Sequence, residues 1–158
     1  MADITVGEQI GLNCVLAYNT GTHASPTWVT ISRAKDVNIP LTRNEATISS
    51  RDSVYSYTKS GLLNVSIEFG YNYKRGSDSV WTALQANAVA ADPTPIEFWA
   101  GDDLITLVGA KGRRFYGNVT EFSQDQPLED GVVQRVVVKP TPYYVSGTRV
   151  DPDLYTIS

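Results

Sequence analysis

The chain has 158 residues and a formal net charge of −4, with 9 Tyr, 3 Trp and 4 Phe but 1 His and 1 Cys. That length suits one domain burying roughly 70% of its unfolded surface. A single cysteine excludes an internal disulfide framework, and the acidic balance argues against a protein that grips nucleic acid by charge.

From the N-terminus, residues 1–12 carry Gly7 and Gly11 and read as an arm with little structure of its own. The opening lacks a basic segment followed by an apolar one, so no secretory leader is expected. No apolar run approaches the ~20 residues needed to cross a bilayer. Residues 13–18 read as a short apolar strand in which Cys14 is expected to be a small buried hydrophobe. A turn-rich loop containing His23 follows, then strands over 27–32 and 35–39. Residues 40–61 are polar and carry Arg43, Glu45, Arg51, Asp52 and Lys59, and they read as a long inter-strand loop.

The stretch NVSIEFGYNYK, residues 64–74, alternates strictly. Its odd positions from Val65 to Tyr73 are apolar or aromatic and its even positions are polar, charged or glycine. A strand with one dry and one wet face produces that pattern. In DSVWTALQANAVA, the residues Val80, Trp81, Leu84 and Ala88 recur at helical spacing behind a capping Ser77 or Asp78, which predicts a helix over 78–90. Asp92-Pro93-Thr94-Pro95 stops it.

Strands are then expected over 96–100 and 104–108, joined by the turn Gly101-Asp102-Asp103. A longer strand over 113–124 changes its apolar parity between Val119 and Phe122, which predicts a bulge. The turn DQPLEDG leads to a β-branched strand over 132–139, and residues 143–158 read as a C-terminal tail. The sum is a single, mainly β domain over 1–158, a β-sandwich or small barrel with one α-helix packed on it.

Catalytic chemistry finds no foothold in these residues. His23 sits in a Gly/Thr/Ser loop and reads as solvated, and one His with one Cys cannot supply a zinc ligand set. Gly109-Ala110-Lys111-Gly112, followed by Arg113 and Arg114, lacks phosphate-loop spacing and reads as a turn. Asp102-Asp103 and the group Asp125, Glu129 and Asp130 read as acidic turns, since a hard cation requires six or more oxygens. No cofactor or metal is expected. Aromatics lie beside cations at Tyr71, Tyr73, Lys74 and Arg75, and again at Arg113 to Tyr116, but the plainer reading is strand aromatics with charged ends.

The order of elements resembles the major tail tube proteins of long-tailed bacteriophages, which share a fold with the tube protein of type VI secretion. The resemblance spans residues 13–142. It rests on Trp28-Val29-Thr30-Ile31 through Asp36-Val37, on the polar 40–61 segment, and on the helix between the long strand and Phe98-Trp99. It rests also on Gly117-Asn118-Val119-Thr120-Glu121-Phe122-Ser123, Pro127-Leu128-Glu129-Asp130-Gly131 and Val136-Val137-Val138-Lys139-Pro140.

The resemblance implies six-membered rings of identical subunits. Each subunit lends two hairpins to a continuous inner barrel, and the rings stack into a tube. Asn64, Ser66, Glu68 and Asn72 would line the lumen, joined by Asn118 and Thr120 from the facing hairpin. A neutral or acidic wall would let DNA pass. Arg43, Glu45, Arg51 and Asp52 would lie at contacts between subunits or stacked rings. Implied partners are further copies of the chain, with tape measure protein and phage DNA transiently in the lumen. Tail terminator and tail-tip proteins would meet the ends, and no membrane is involved. The expected location is the virion tail, after synthesis in the bacterial host's cytoplasm. Two other readings remain open. One is a carbohydrate- or protein-binding β-sandwich presenting Trp28, Trp99 or Tyr143-Tyr144. The other is a terminator or head-completion protein that forms a single ring.

Overall fold

The computed structural model describes residues 14–129 and 131–156, with the side chains of 153–156 excepted. The expected arm over 1–12 and Asp130 lie outside the described residues. Twelve strands and one helix follow in the order β1 (Val15–Asn19), β2 (Trp28–Thr30), β3 (Ala34–Asn38), β4 (Leu41–Ile48), β5 (Tyr57–Val65), β6 (Ile67–Asn72), α1 (Ser79–Val89), β7 (Ile96–Gly101), β8 (Lys111–Asp125), β9 (Val133–Pro140), β10 (Tyr144–Val145), β11 (Thr148–Arg149) and β12 (Asp153–Thr156). The main sheet runs β2-β1-β7-β8-β9-β6-β3, antiparallel at every step, with β12 added to β8. This is the mainly β architecture with one packed helix that the sequence predicts.

The core lies on the helix side of the sheet. Ile67, Phe69 and Tyr71 of β6 meet Val136 and Val138 of β9, Phe98 of β7, Phe115 and Val119 of β8, and Leu84 of the helix. These are the odd positions of the alternating stretch, so period-two patterning identified the dry face correctly. Asp78 caps α1, its carboxylate accepting from Trp81 N at 3.3 Å, and the buried Tyr71 hydroxyl donates to the other oxygen at 2.6 Å. One acid therefore both satisfies the helix start and ties it to β6. Burial, and then the bond to Asp78, push the Tyr71 phenol well above its usual range. The bulge in β8 is present, with the register shifting between Val119 and Glu121.

Four expectations are corrected. Residues 40–61 are not a loop: β4 and β5 pair over Leu41↔Val65 to Ile48↔Tyr57. The long strand is not continuous but breaks at Ser66 into β5 and β6. Residues 104–108 form turns instead of a strand, so β7 pairs directly with β8 across the 102–110 loop. There the Asp103 carbonyl accepts from Trp99 Nε1 at 3.0 Å, and the Trp99 ring packs where Gly101 and Gly112 carry no Cβ. That packing requires both glycines and closes the loop without a third strand. The last correction concerns 143–158, which is more than a tail. It contains the β10–β11 hairpin, and β12 then pairs with β8 from Asp153↔Arg114 to Thr156↔Lys111. β9 ends at Pro140, and β12 fills the ladder it vacates.

Candidate assembly surface

β3–β4 and β5–β6 form one long hairpin in two halves. Asn38↔Glu68 and Leu41↔Val65 keep a common register, and Ser66 N donates to the Pro40 carbonyl at 3.2 Å across the break. Proline has no N–H to offer the ladder, which interrupts strand assignment there without ending the hairpin. The inner half, β3–β6, joins the main sheet. The outer half, β4–β5, pairs only with itself among the described residues and forms an exposed arm. Every residue of β4 and all but the last of β5 are exposed. The arm carries Leu62 at 78% exposure and, at its tip, Val54 at 95% and Tyr55 at 70%. An isolated two-stranded hairpin is marginal in water, and apolar residues grouped at that exposure mark a contact surface.

Arg43 stands opposite Leu63, and Glu45 opposite Ser60, on the arm; Arg51 and Asp52 lie in its exposed turn. The residues expected at inter-subunit contacts thus fall on one exposed element. Its strands escaped sequence reading because LTRNEATI and YTKSGLLNV alternate poorly. A second register shift, between Arg43 and Glu45, moves side chains to the other face part-way along.

The sheet face opposite the helix is polar. Asn64, Ser66, Glu68 and Asn72 share the parity opposite to the core residues, as expected of the wet face. Asn64 Nδ2 donates to Asn44 Oδ1 at 3.0 Å on the arm. Glu68 lies 3.7 Å from the Arg135 guanidinium, and Glu121 approaches the same group at 3.5 Å from the other side. This part of the face therefore carries both signs of charge, with Arg135 set between two carboxylates. All three side chains are substantially exposed, so these pairs contribute little stability; they neutralise charge locally.

Thr120 is the bulge residue, its hydroxyl donating to Val137 O at 3.3 Å. Asn118 is engaged from the helix: Asn87 Nδ2 donates to its Oδ1 at 3.2 Å, while Asn87 Oδ1 accepts from Val119 N at 2.7 Å. Asn87 also donates to Thr94 O at 3.0 Å. The ladder between β7 and β8 ends at Ile96↔Gly117, so this buried amide caps the first backbone group left over. Past it, residues 120–125 of β8 have no partner strand on that side among the described residues.

A second polar cluster lies on the other half of the sheet. Glu97 is 1% exposed; its carboxylate accepts from Arg114 Nη2 at 2.8 Å and Asn19 Nδ2 at 3.1 Å, and from His23 Nδ1 at 2.6 Å. Arg114 Nη2 also stands 3.2 Å from that His23 nitrogen, whose proton the closer carboxylate claims. Asn19 Oδ1 accepts from Gly21 N and Thr27 N and so folds the loop that delivers His23. His23 is thus half-buried and paired, which corrects its reading as a solvated loop residue. No local pattern signals this, because Glu97 is 74 residues away in the chain.

Tyr116 stacks on Tyr143 at 3.9 Å beside the cluster, and burial followed by the Glu97 charge pushes its phenol up to about 12. Cys14, expected to be buried, is exposed. Trp99 is wholly buried and Trp28 is half-buried with Arg114 over its ring at 5.4 Å, so Trp99 drops out as a ligand platform. Asp102 and Asp103 act as turn caps, accepting from Lys111 N and Leu104 N.

Known structures share this fold. The SPP1 tail tube matches with a TM-score of 0.71 at 12% identity, covering 96% of this chain and 81% of that one. The tail of an empty gene transfer agent particle, refined with C6 symmetry, matches at 0.62 and 15%, covering 85% and 95%. An extracellular contractile injection system in its sheath–tube complex matches at 0.63 and 6%, covering 95% and 93%. No protein-family model matches the sequence, and neither does any curated protein. At these identities the likeness shows the fold: the chain has the tail tube fold.

Proposed function

We propose that the chain is the structural subunit of a tail tube and has no catalytic task. Copies join side by side into six-membered rings, and the rings stack into a hollow tube through which DNA passes. The observation that carries this reading is the four-stranded half β8-β9-β6-β3. Among the described residues it is open at both edges, along β3 and along the outer part of β8, and its strands alternate in direction. An even number of alternating strands lets β3 of one copy run antiparallel to β8 of the next at every joint of a ring. Closure then leaves neither β3 nor the outer part of β8 as an exposed edge.

In this reading Ser66, Glu68 and Asn72 line the channel and Asn64 continues the lining along the arm. Asn118 and Thr120 sit at its margin, where Asn118 already serves the helix. The arm, with Arg43, Glu45, Arg51 and Asp52, contacts the adjacent ring or subunit. Tape measure protein and DNA occupy the lumen in turn, terminator and tip proteins cap the ends, and the tube belongs to the virion tail, assembled in the host cytoplasm.

Negative-stain microscopy of the purified chain across a concentration series tests this. Hollow tubes with a regular axial repeat are expected. Single rings that never stack would instead favour a terminator. A monomer that persists even when seeded with preformed tail tips would sink the proposal in favour of a binding module.

A further inference from the structure

We propose that Lys35 of one copy pairs with Asp125 of the neighbouring copy, with Glu121 beside it, so that an ion-pair seam closes each joint of the ring. This rests on the ring reading above and names the contact that makes the joint.

The register fixes which residues stand level. Lys35 pairs with Gly70, Gly70 with Arg135, and Arg135 with Ser123, a single row crossing β3, β6, β9 and β8. When the row continues into the next copy, Lys35 arrives beside Ser123. Glu121 and Asp125 flank Ser123 two residues to either side, on the same face. Strands in a closed barrel are tilted and staggered, so the meeting point shifts along the strand. A stagger of two residues in either direction preserves the face and sets Lys35 opposite an acid.

The charges are available for such a joint. Lys35 and Asp125 are both exposed, and neither makes an ion pair among the described residues. The Lys35 stem lies over Gly70, its Cγ and Cε 3.3 and 3.4 Å from where a Cβ would stand, so the ammonium is carried on the polar face. Glycine at that position gives the long side chain a flat surface to move across. One edge of the unit thus presents Lys35, next to Asp36, and the other presents Glu121 and Asp125 near the same height, so a head-to-tail joint can set the lysine against an acid. The pair also cancels charge at the seam, as Arg135 cancels Glu68 and Glu121 within the subunit.

The test uses two full-length variants, Lys35→Glu and Glu121→Lys/Asp125→Lys. Both change exposed residues, so each should melt within about 2 °C of wild type as a monomer. Each alone places like charges at every joint, and its sedimentable assembly should fall about tenfold or more. An equimolar mixture should regain most of the assembly, because a ring that alternates the two variants meets either the native or the reversed pair at every joint. Asp125→Lys alone, which leaves the Arg135–Glu121 pair in place, should show the same defect more weakly. If wild type forms rings and the variants assemble equally well, or the mixture stays unassembled, the seam is wrong and the ring reading stands. If seeded wild type forms no rings, both fall together.

Discussion

The two halves of the long hairpin, β3–β6 and β4–β5, run on from one another and each carries one register shift, yet they have opposite fates. The inner half puts Ile67, Phe69 and Tyr71 against a helix and three further strands, where they are 3% exposed or less. The outer half leaves Leu41, Leu63, Tyr57 and Ile48 about half exposed, with only the facing strand of the arm beside them among the described residues. Backbone pairing is equally regular in both, so hydrogen bonding does not distinguish them. Burial does: about 25 cal/mol per Å² of apolar surface accrues to the inner half alone. The inner half is built for stability, and the proposed assembly would use the outer half for association.

Substitutions can break that contrast, and the largest effects belong to the body. Phe98→Ala removes a fully buried ring at the centre of the core and should cost about 3–5 kcal/mol, lowering the melting temperature by roughly 10 °C in calorimetry. Glu97→Ala should cost about as much, because it removes the carboxylate that the largely buried Arg114 and the Asn19 amide share, and chemical denaturation would register it. A loss under ~1 kcal/mol would show that water reaches the cluster. Asn87→Ala uncovers Val119 N and should cost about 1–3 kcal/mol, with faster hydrogen exchange at that amide.

Alkaline titration probes the same body. Tyr116 holds its proton in the fold up to about 12, above the ordinary 10, so folding favours the neutral phenol. Its contribution to stability is complete below pH 10 and declines as pH rises from there through 12. Tyr116→Phe, followed by pH-dependent melting, should flatten that decline.

The smallest stability effects belong to the arm. Tyr55→Ser at the tip should leave the monomer within about 0.5 kcal/mol of wild type while reducing tube length in micrographs. A melting shift comparable to that of Asn87→Ala would mean that the arm is part of the folding unit. On the polar face, Glu68→Lys removes one partner of Arg135 and should slow DNA passage in assembled particles while leaving tube formation intact.

The sequence by itself determined the mainly β class, the helix with a cap at Ser77 or Asp78, the bulge after Val119 and the dry face of β6. Each of these is written in a local period or a capping residue, and burial enforces the period. Only the tertiary structure decided the arm, the return of β12 to β8, the pairing of His23 with Glu97 and the use of Asn87 against the β8 edge. These contacts join residues far apart in the chain or expose both faces of a strand, and neither circumstance leaves a local pattern to read. The row from Lys35 to Ser123 is of the same kind. Four strands had to be set in register before Lys35 at one edge and Ser123, flanked by Glu121 and Asp125, at the other came to stand in one row.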